Sequence, residues 1–421
     1  MSSEVPLDVS SPLPYGATGA WNCPLTADAI AARQSGPAAV PSIAQAVATA
    51  CQVPCDFPAL AEAIIPDDRV VIVFNHRLAG RTEIASELWN ILAARGVSPA
   101  NVTIIDAPSP VEPPVDPRTG LPQGVRDELV WQIHQPADPV ATGYLGSSVG
   151  GERIYISRAL LDADLIIPVS TVEMDPVHGI CGAMHAIFPA LTNSESLQRL
   201  LKAGHEELSA EDERPIRQLA EEVAGMLGVQ FSIELVPSAS GTGVSQVLAG
   251  QPEAVHRLAR QAIREHWLLK VDRRSESVVA AVASRDGRPC TWEDVSRAAQ
   301  TARRLVTRGG RIILLTDLPG TLTEGWELVR DCTQPRDAMK RVRMVQPADE
   351  IAIDQMLRAA DFATVYLLGG PEGDVLEDLF LHPLASPKEV DRLLEGSDDC
   401  ILLSGAQYVR GKARASDADP E

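Results

Sequence analysis

The chain has 421 residues, of which 45% are hydrophobic and 22% charged, and its formal net charge at pH 7 is -20. This length exceeds one ordinary hydrophobic core, so two domains are expected. The charge argues against nucleic acid or an anionic membrane as the main partner, because both are themselves negatively charged. A small molecule or another protein is the expected partner, and the sequence indicates no oligomeric state.

The cysteines and the N-terminal residues predict where the protein resides. Its seven cysteines are odd in number and scattered along a long chain, which is typical of a reducing compartment. Residues Met1 to Pro14 contain no basic region followed by an apolar core, and no segment reaches the roughly 20 apolar residues that a membrane span needs. We therefore expect a cytoplasmic protein.

The regular elements begin with a short helix at Ser42 to Cys51 and a continuous apolar run at Arg69 to Phe74. A helical pattern follows at Thr82 to Arg95, and a second apolar strand at Val102 to Ile105. Two strands buried on both faces and joined by a helix are typical of a βαβ unit with a parallel sheet.

The same alternation continues along the chain, with strands predicted at Ile154 to Ile156, Asp164 to Val169 and Phe231 to Val236, and a helix at Glu253 to Trp267. The charged segment Lys202 to Arg217 is predicted to form an exposed helical face. The segment Asp175 to Pro189 is too apolar for an ordinary surface loop. Because it follows a parallel strand, it occupies the place where open α/β sheets bind ligands.

A polar stretch from Asp272 to Glu276 marks the predicted domain boundary. Beyond it we expect strands at Ser277–Ala283, Arg311–Thr316, Thr364–Leu368 and Cys400–Leu403, and helices at Glu293–Thr307, stopped by Gly309-Gly310, and Asp349–Ala360. The predicted fold is α/β with two domains, each a mainly parallel sheet flanked by helices, and a ligand cleft between them. The domains are residues 1–270 and 275–400, with a C-terminal segment, 401–421, that can return to the first domain.

Two blocks of sequence carry a resemblance to a known family. One runs from Gly151 to Leu191 and contains Glu-Met-Asp-Pro-Val-His-Gly-Ile-Cys-Gly-Ala-Met-His-Ala-Ile-Phe-Pro from Glu173 to Pro189; the other is Val247-Leu-Ala-Gly-Gln-Pro-Glu-Ala-Val-His-Arg257. Together with the order of elements, they resemble the nickel-pincer lactate racemases, the LarA-like proteins, over most of the chain. The resemblance implies racemisation or epimerisation of a 2-hydroxy acid by hydride transfer to a nickel-pincer nucleotide.

The same resemblance suggests individual residues. In the frame set by Gly182 and Pro189, His185 stands where the family has the lysine that anchors the cofactor, so the covalent anchor is absent. Asp175 stands where a catalytic histidine is expected, and Arg297 keeps the positive charge of a helix start in the second domain. The catalytic set implied is therefore Asp175, His185 and Arg297, acting on a small anionic substrate. Asp175 alone is compatible with a general base or with an Asp-Pro turn.

Arg77, Arg81 and Thr82 follow the first buried strand and lie near the start of a helix. Guanidinium groups and a helix N-terminus bind phosphate or carboxylate, so these residues, together with His185, are predicted to hold the cofactor. The alternative for Thr82 is a purely structural N-cap.

His178, Cys181 and His185 form an H-x2-C-x3-H pattern. Imidazole and thiolate are suitable ligands for nickel or zinc, so a metal site is one prediction. The alternative is that Cys181 is a small packing residue and the histidines bond loop carbonyls.

Three functions therefore remain open: a divergent racemase or epimerase, a catalytically inactive binding or regulatory descendant, and a zinc-dependent hydrolase or lyase that uses His178, Cys181 and His185.

Overall fold

The computed structural model describes residues 11–109, 115–175, 179–201 and 214–414. In chain order the strands of these residues are β1 Leu13–Tyr15, β2 Gly19–Trp21, β3 Ile30–Gln34, β4 Val70–Phe74, β5 Val102–Asp106, β6 Val130–Ile133, β7 Thr142–Ser147, β8 Arg153–Ser157, β9 Leu165–Thr171, β10 Glu173–Asp175, β11 Gly179–Cys181, β12 Ser232–Pro237, β13 Val244–Gly250, β14 Leu268–Val271, β15 Ser275–Ala281, β16 Val306–Leu315, β17 Thr364–Leu368, β18 His382–Leu384, β19 Cys400–Ser404 and β20 Arg410–Ala413.

The α-helices of the same residues are α1 Ile43–Gln52, α2 Leu60–Ala63, α3 Arg81–Ala94, α4 Gln123–Glu128, α5 Arg158–Leu161, α6 Ala183–Ile187, α7 Ser194–Leu201, α8 Pro215–Met226, α9 Pro252–Trp267, α10 Trp292–Leu305, α11 Glu324–Arg330, α12 Pro335–Val345, α13 Glu350–Phe362, α14 Gly373–Asp378 and α15 Pro387–Leu394. Within the described ranges, no helix is both long and apolar enough to span a bilayer.

The first unit comprises residues 39–237 and 244–264. Its six-stranded sheet has the order β13-β12-β9-β4-β5-β6, in which only the β12–β13 pair is antiparallel. Both faces of the sheet are covered, because β4 sends Val70, Ile72 and Phe74 into one apolar cluster and Val71 and Val73 into another. Helices α1 and α3 contribute to the first cluster, and α6 and α8 to the second. This explains why β4 is a continuous apolar run rather than an alternating one.

The second unit contains the described residues 11–38, 238–243 and 265–414. Its sheet has the order β18-β17-β16-β15-β19-β3, and all five pairings are parallel. The predicted class, α/β with two mainly parallel sheets flanked by helices, is confirmed.

The division of the chain differs from the predicted boundaries, 1–270 and 275–400, at both ends. Residues 11–38 lie in the second unit, because β3 pairs with β19 in parallel. The C-terminal segment stays in that unit too, since β19 lies beside β15 and β20 pairs with β14. A strand can join a sheet edge through backbone hydrogen bonds alone, so β3 needs no strong apolar pattern.

Two smaller expectations also change. Gly309-Gly310 does not end the preceding helix; these glycines lie inside β16, where the register against β15 jumps between Ser275 and Ser277. Gly309 has φ +75° there, which glycine adopts without strain. Most of the predicted charged helical face, residues 202–213, lies outside the described residues, and α8 begins at Pro215.

Candidate functional site at the carboxyl ends of the first sheet

The order of strands locates a ligand crevice in the first unit. From β4 the chain moves outward to β5 and β6, and it then returns to place β9 and β12 on the other side of β4. The sheet therefore changes direction between β4 and β9, and open α/β sheets bind ligands outside the carboxyl ends of the strands at such a point. The residues that follow β4, β5 and β9 lie at this position.

A buried ion pair joins the ends of β4 and β9. The Arg77 Nε donates to Glu173 Oε2 at 2.9 Å, and the two side chains are only 5% and 7% exposed. Asn75, the first residue after β4, accepts the Arg77 backbone N–H on its Oδ1 at 2.8 Å, which fixes the turn. Arg77 thus lies at the predicted ligand position, with a carboxylate of the chain bonded to it.

A second buried ion pair joins the start of α3 to the end of β5. Arg81 opens α3, and its Nη2 donates to Asp106 Oδ1 at 2.6 Å, with side-chain exposures of 5% and 1%. The other oxygen of Asp106 accepts from Trp131 Nε1 at 2.6 Å. The Arg81 guanidinium also lies 5.3 Å from the centre of the Phe74 ring, a cation–π distance. The negative charge of Asp106 therefore neutralises the positive charge of Arg81.

Thr82 is not the N-cap of α3. That position belongs to Gly80, which has φ +69°, and a Cβ there would come within 2.3 Å of Ile43 Cδ1. Thr82 is the second residue of the helix, half-buried, with its hydroxyl 3.4 Å from that of Thr119. The structural alternative that assigned Thr82 to the cap is therefore wrong.

The segment after β9 forms a short hairpin. Asp175 ends β10, is half-buried and lies opposite Gly179 of β11, while Glu173 lies opposite Cys181. The Cys181 Sγ lies 3.6 Å from the Glu173 carbonyl oxygen, a distance at which its thiol can donate to that oxygen. His178 lies outside the described residues.

His185 lies in α6, directly after the hairpin, and is 8% exposed. Its Nδ1 accepts the backbone N–H of Gly182 at 3.4 Å, so the ring faces the start of its own helix. A Cβ at Gly182 would lie 2.1 Å from Glu234 Oε1, so only glycine allows this carboxylate to approach. Glu234 Oε1 in turn accepts the Ala183 N–H at 2.9 Å.

Glu234 also holds a histidine that the sequence did not single out. His256 of α9 places Nδ1 at 3.2 Å from both carboxylate oxygens of Glu234, which is 1% exposed. Burial on its own would lower the pKa of His256, but the Glu234 carboxylate raises it above the ordinary value of 6.5. A glutamate inside the apolar strand β12 was the signal available in the sequence, because a buried carboxylate needs a partner.

Arg297 belongs to the second unit, whereas Asp175 and His185 belong to the first. It lies in α10, where its Nη2 bonds Glu293 Oε1 at 3.0 Å, four residues earlier on the same helix. The start of α10 is fixed by Thr291, which caps the helix, and by Asp294, which bonds Arg285 at 2.9 Å. Arg297 therefore lies in the second turn of α10 with a carboxylate of the same helix bonded to it, and its catalytic role stays a prediction.

Comparison with known proteins finds one similar domain. Residues 20–211 match the lactate racemase N-terminal domain. This part of the chain is similar to the N-terminal domain of the lactate racemases. No curated protein matches the sequence.

Two solved structures are similar to the whole fold. The lactate racemase apoprotein from Thermoanaerobacterium thermosaccharolyticum matches with a TM-score of 0.75 at 14% identity, over 96% of this chain and 99% of that one. A Thermotoga maritima protein matches with a TM-score of 0.62 at 14% identity, over 84% of this chain and 96% of that one. At such identities the likeness shows the fold alone.

The described residues do not fit the nickel-pincer nucleotide of the family. Among them, no group of three His, Cys, Asp or Glu side chains is placed to hold a metal ion. The buried imidazole of His185 cannot form the covalent link that a lysine amine forms. The arginines predicted to hold its phosphate are each bonded to a carboxylate, Glu173 or Asp106, and a third carboxylate, Glu234, lies at the start of α6. These carboxylates already neutralise the arginines, so the phosphate of an anionic nucleotide would have to displace one of them.

Proposed function

We propose that this chain is a member of the lactate racemase family that has kept the fold but not the hydride-transfer chemistry, and that it acts as a binding or regulatory protein. The observation that carries the proposal is the pairing of both predicted anion-binding arginines, Arg77 and Arg81, with buried carboxylates. An arginine used for a substrate carboxylate or a phosphate keeps its donors available to the ligand. Here Glu173 and Asp106 bind the arginines in the way that the carboxylate or phosphate of a ligand would.

The electrostatic consequence concerns the class of ligand. A 2-hydroxy acid brings a carboxylate, which would have to displace Glu173 or Asp106 from an arginine and leave that group buried without its partner. Such an uncompensated buried charge costs about 3–5 kcal/mol. Millimolar affinity itself corresponds to only about 4 kcal/mol, so anionic ligands are expected to bind very weakly.

The test is expression of the full chain with the pincer-biosynthesis enzymes and nickel, followed by metal analysis, an absorption spectrum and chiral chromatography of several 2-hydroxy acids. The racemase from Thermoanaerobacterium thermosaccharolyticum, prepared in the same way, is the positive control. Protein without stoichiometric nickel, cofactor absorption or turnover supports the proposal. Bound nickel with a cofactor band and racemisation would overturn it.

The second candidate is a racemase or epimerase of 2-hydroxy acids with Asp175, His185 and Arg297 as its catalytic residues. It is favoured by the extent of the fold match to a lactate racemase, 96% of this chain and 99% of that one. If the loaded protein is active, Asp175→Asn should reduce turnover at least about a hundredfold, the usual contribution of a general base. Turnover unchanged in that variant would remove Asp175 from the mechanism.

The zinc-dependent hydrolase or lyase has less support. As a thiol, Cys181 has the Glu173 carbonyl as an acceptor, and it would lose this hydrogen bond as the thiolate that zinc requires. The same metal analysis tests it: stoichiometric zinc that is lost in both Cys181→Ser and His185→Ala would establish a metal site at these residues, and zinc-free wild-type protein would exclude this function.

A further inference from the structure

The second unit contains a cavity for which the resemblance to the lactate racemases implies no ligand. It has a volume of about 670 Å³ and lies at the carboxyl ends of three neighbouring parallel strands, β16, β17 and β18. Binding sites for small molecules measure roughly 300–1,000 Å³ and are found at this edge of open α/β sheets. We propose that this cavity binds a flat aromatic ligand that carries an amino group and no negative charge.

The shape of the cavity follows from two glycines after β17. Gly369 and Gly370 both have positive φ, +93° and +97°. A Cβ on Gly369 would lie 2.3 Å from the backbone oxygen of Thr316, the residue that follows β16. The ends of β16 and β17 approach so closely that only glycine fits at this position. This wall of the cavity therefore consists of backbone without side chains, against which the face of a flat ring can lie.

The rest of the lining is mainly apolar. Leu384 and Pro387 contribute aliphatic surface, the buried Leu368 and Leu376 are also among the lining residues, and Tyr15 contributes an aromatic ring at one side. An apolar lining with a small number of polar groups is the usual composition of a site for an organic ligand. Such a lining favours a ligand with a largely hydrophobic body.

The negative charge of Glu389 determines which polar group the ligand can carry. Among the described residues that line the cavity, Glu389 is the one carboxylate, and none is Lys, Arg or His. One oxygen of Glu389, Oε2, accepts the backbone N–H of Ala385 at 2.8 Å, which holds the carboxylate in place. The group can therefore accept a hydrogen bond from an amine, while it repels a phosphate or a carboxylate.

The experiment titrates the full chain with adenosine by calorimetry, and then with inosine, which has an oxo group in place of the amine, and with AMP, which adds a phosphate. We expect saturable binding of adenosine and binding of inosine and AMP about tenfold weaker, the usual effect of one lost charged hydrogen bond or of an added like charge. Absence of saturable adenosine binding, or equal affinity for all three, overturns the proposal.

Two variants place the binding in this cavity. Ala385 is exposed at its rim, so Ala385→Trp should fill the space without disturbing the core and abolish adenosine binding. Glu389→Gln should remove most of the preference for adenosine over AMP. The control is Glu395→Gln, which makes the same change on the exposed residue that follows α15 and should leave affinity unchanged. Adenosine binding that survives Ala385→Trp would place it elsewhere. Because the cavity lies within the second unit, these results are independent of the first unit's chemistry.

Discussion

Replacing Asp106 by Asn tests the buried ion pair at the end of β5. The change keeps the size of the side chain and an oxygen that can still accept from Trp131 Nε1, but it removes the negative charge beside Arg81. Because the Arg81 side chain is 5% exposed, water cannot compensate its charge. Removal of one partner from such a pair costs about 3–5 kcal/mol.

This cost is large compared with the whole stability of a domain, about 5–15 kcal/mol. With a urea dependence of about 1–3 kcal/mol per molar, the unfolding midpoint of the first unit should fall by about 1 M or more. The assay is hydrogen exchange of peptides from β5 at increasing urea, because it reports on this unit alone. The double variant Arg81→Met, Asp106→Leu should recover most of the loss, since it leaves no buried charge.

The matched control is Asp164→Asn in the same unit. Asp164 also bonds an arginine, Arg69, at 2.9 Å, but the two side chains are 44% and 59% exposed. Exposed pairs contribute little because water and salt screen them, so this variant should unfold like the wild type. Equal midpoints for Asp106→Asn and the wild type, or a double variant as unstable as the single one, would refute the reasoning.

Three other predictions concern the same unit. Because the pKa of His256 is raised, its pair with Glu234 stabilises the fold fully below about pH 6.5 and less as the pH rises through the raised pKa. The urea midpoint of unfolding should therefore fall as the pH rises through this range, and the fall should be smaller in His256→Gln. Gly182→Ala should push the Glu234 carboxylate away from α6, seen as faster amide exchange at the start of that helix; unchanged exchange would contradict the close approach. Glu173→Gln should leave Arg77 able to bind lactate, so calorimetry should detect binding that the wild type lacks, and its absence would argue against carboxylate blocking.

The apolar strands were predictable from the sequence, but the edges of the sheets were not. β4 and β17 were located within one residue, because each is a short buried run bounded by polar residues or glycine. β3 was missed, because only Ile30 of its five residues is buried and its place depends on backbone pairing with β19. The prediction that Gly309-Gly310 end a helix was wrong, because these glycines permit an irregular register inside β16.

The same contrast applies to the candidate site. Arg77 and Arg81 could be placed at a strand end from local sequence alone. Their partners could not, because Glu173 and Asp106 are 96 and 25 residues away along the chain and become neighbours only when the parallel strands align. Local patterns therefore predict which groups reach the ligand edge of a sheet, while the electrostatic state of those groups depends on the tertiary structure.

That electrostatic state argues for a change of ligand rather than a simple loss of one. Each of three positions that could receive an anion holds a carboxylate of the chain: Glu173 at Arg77, Asp106 at Arg81, and Glu234 at the start of α6. Buried carboxylates are costly unless paired, and a fold that had merely lost a ligand could have replaced the arginines by apolar residues at no cost in stability. The two ion pairs, whose partners come from different strands, keep this edge polar but internally neutral. A ligand without net negative charge is the one that such an edge can accept without leaving a charge unpaired.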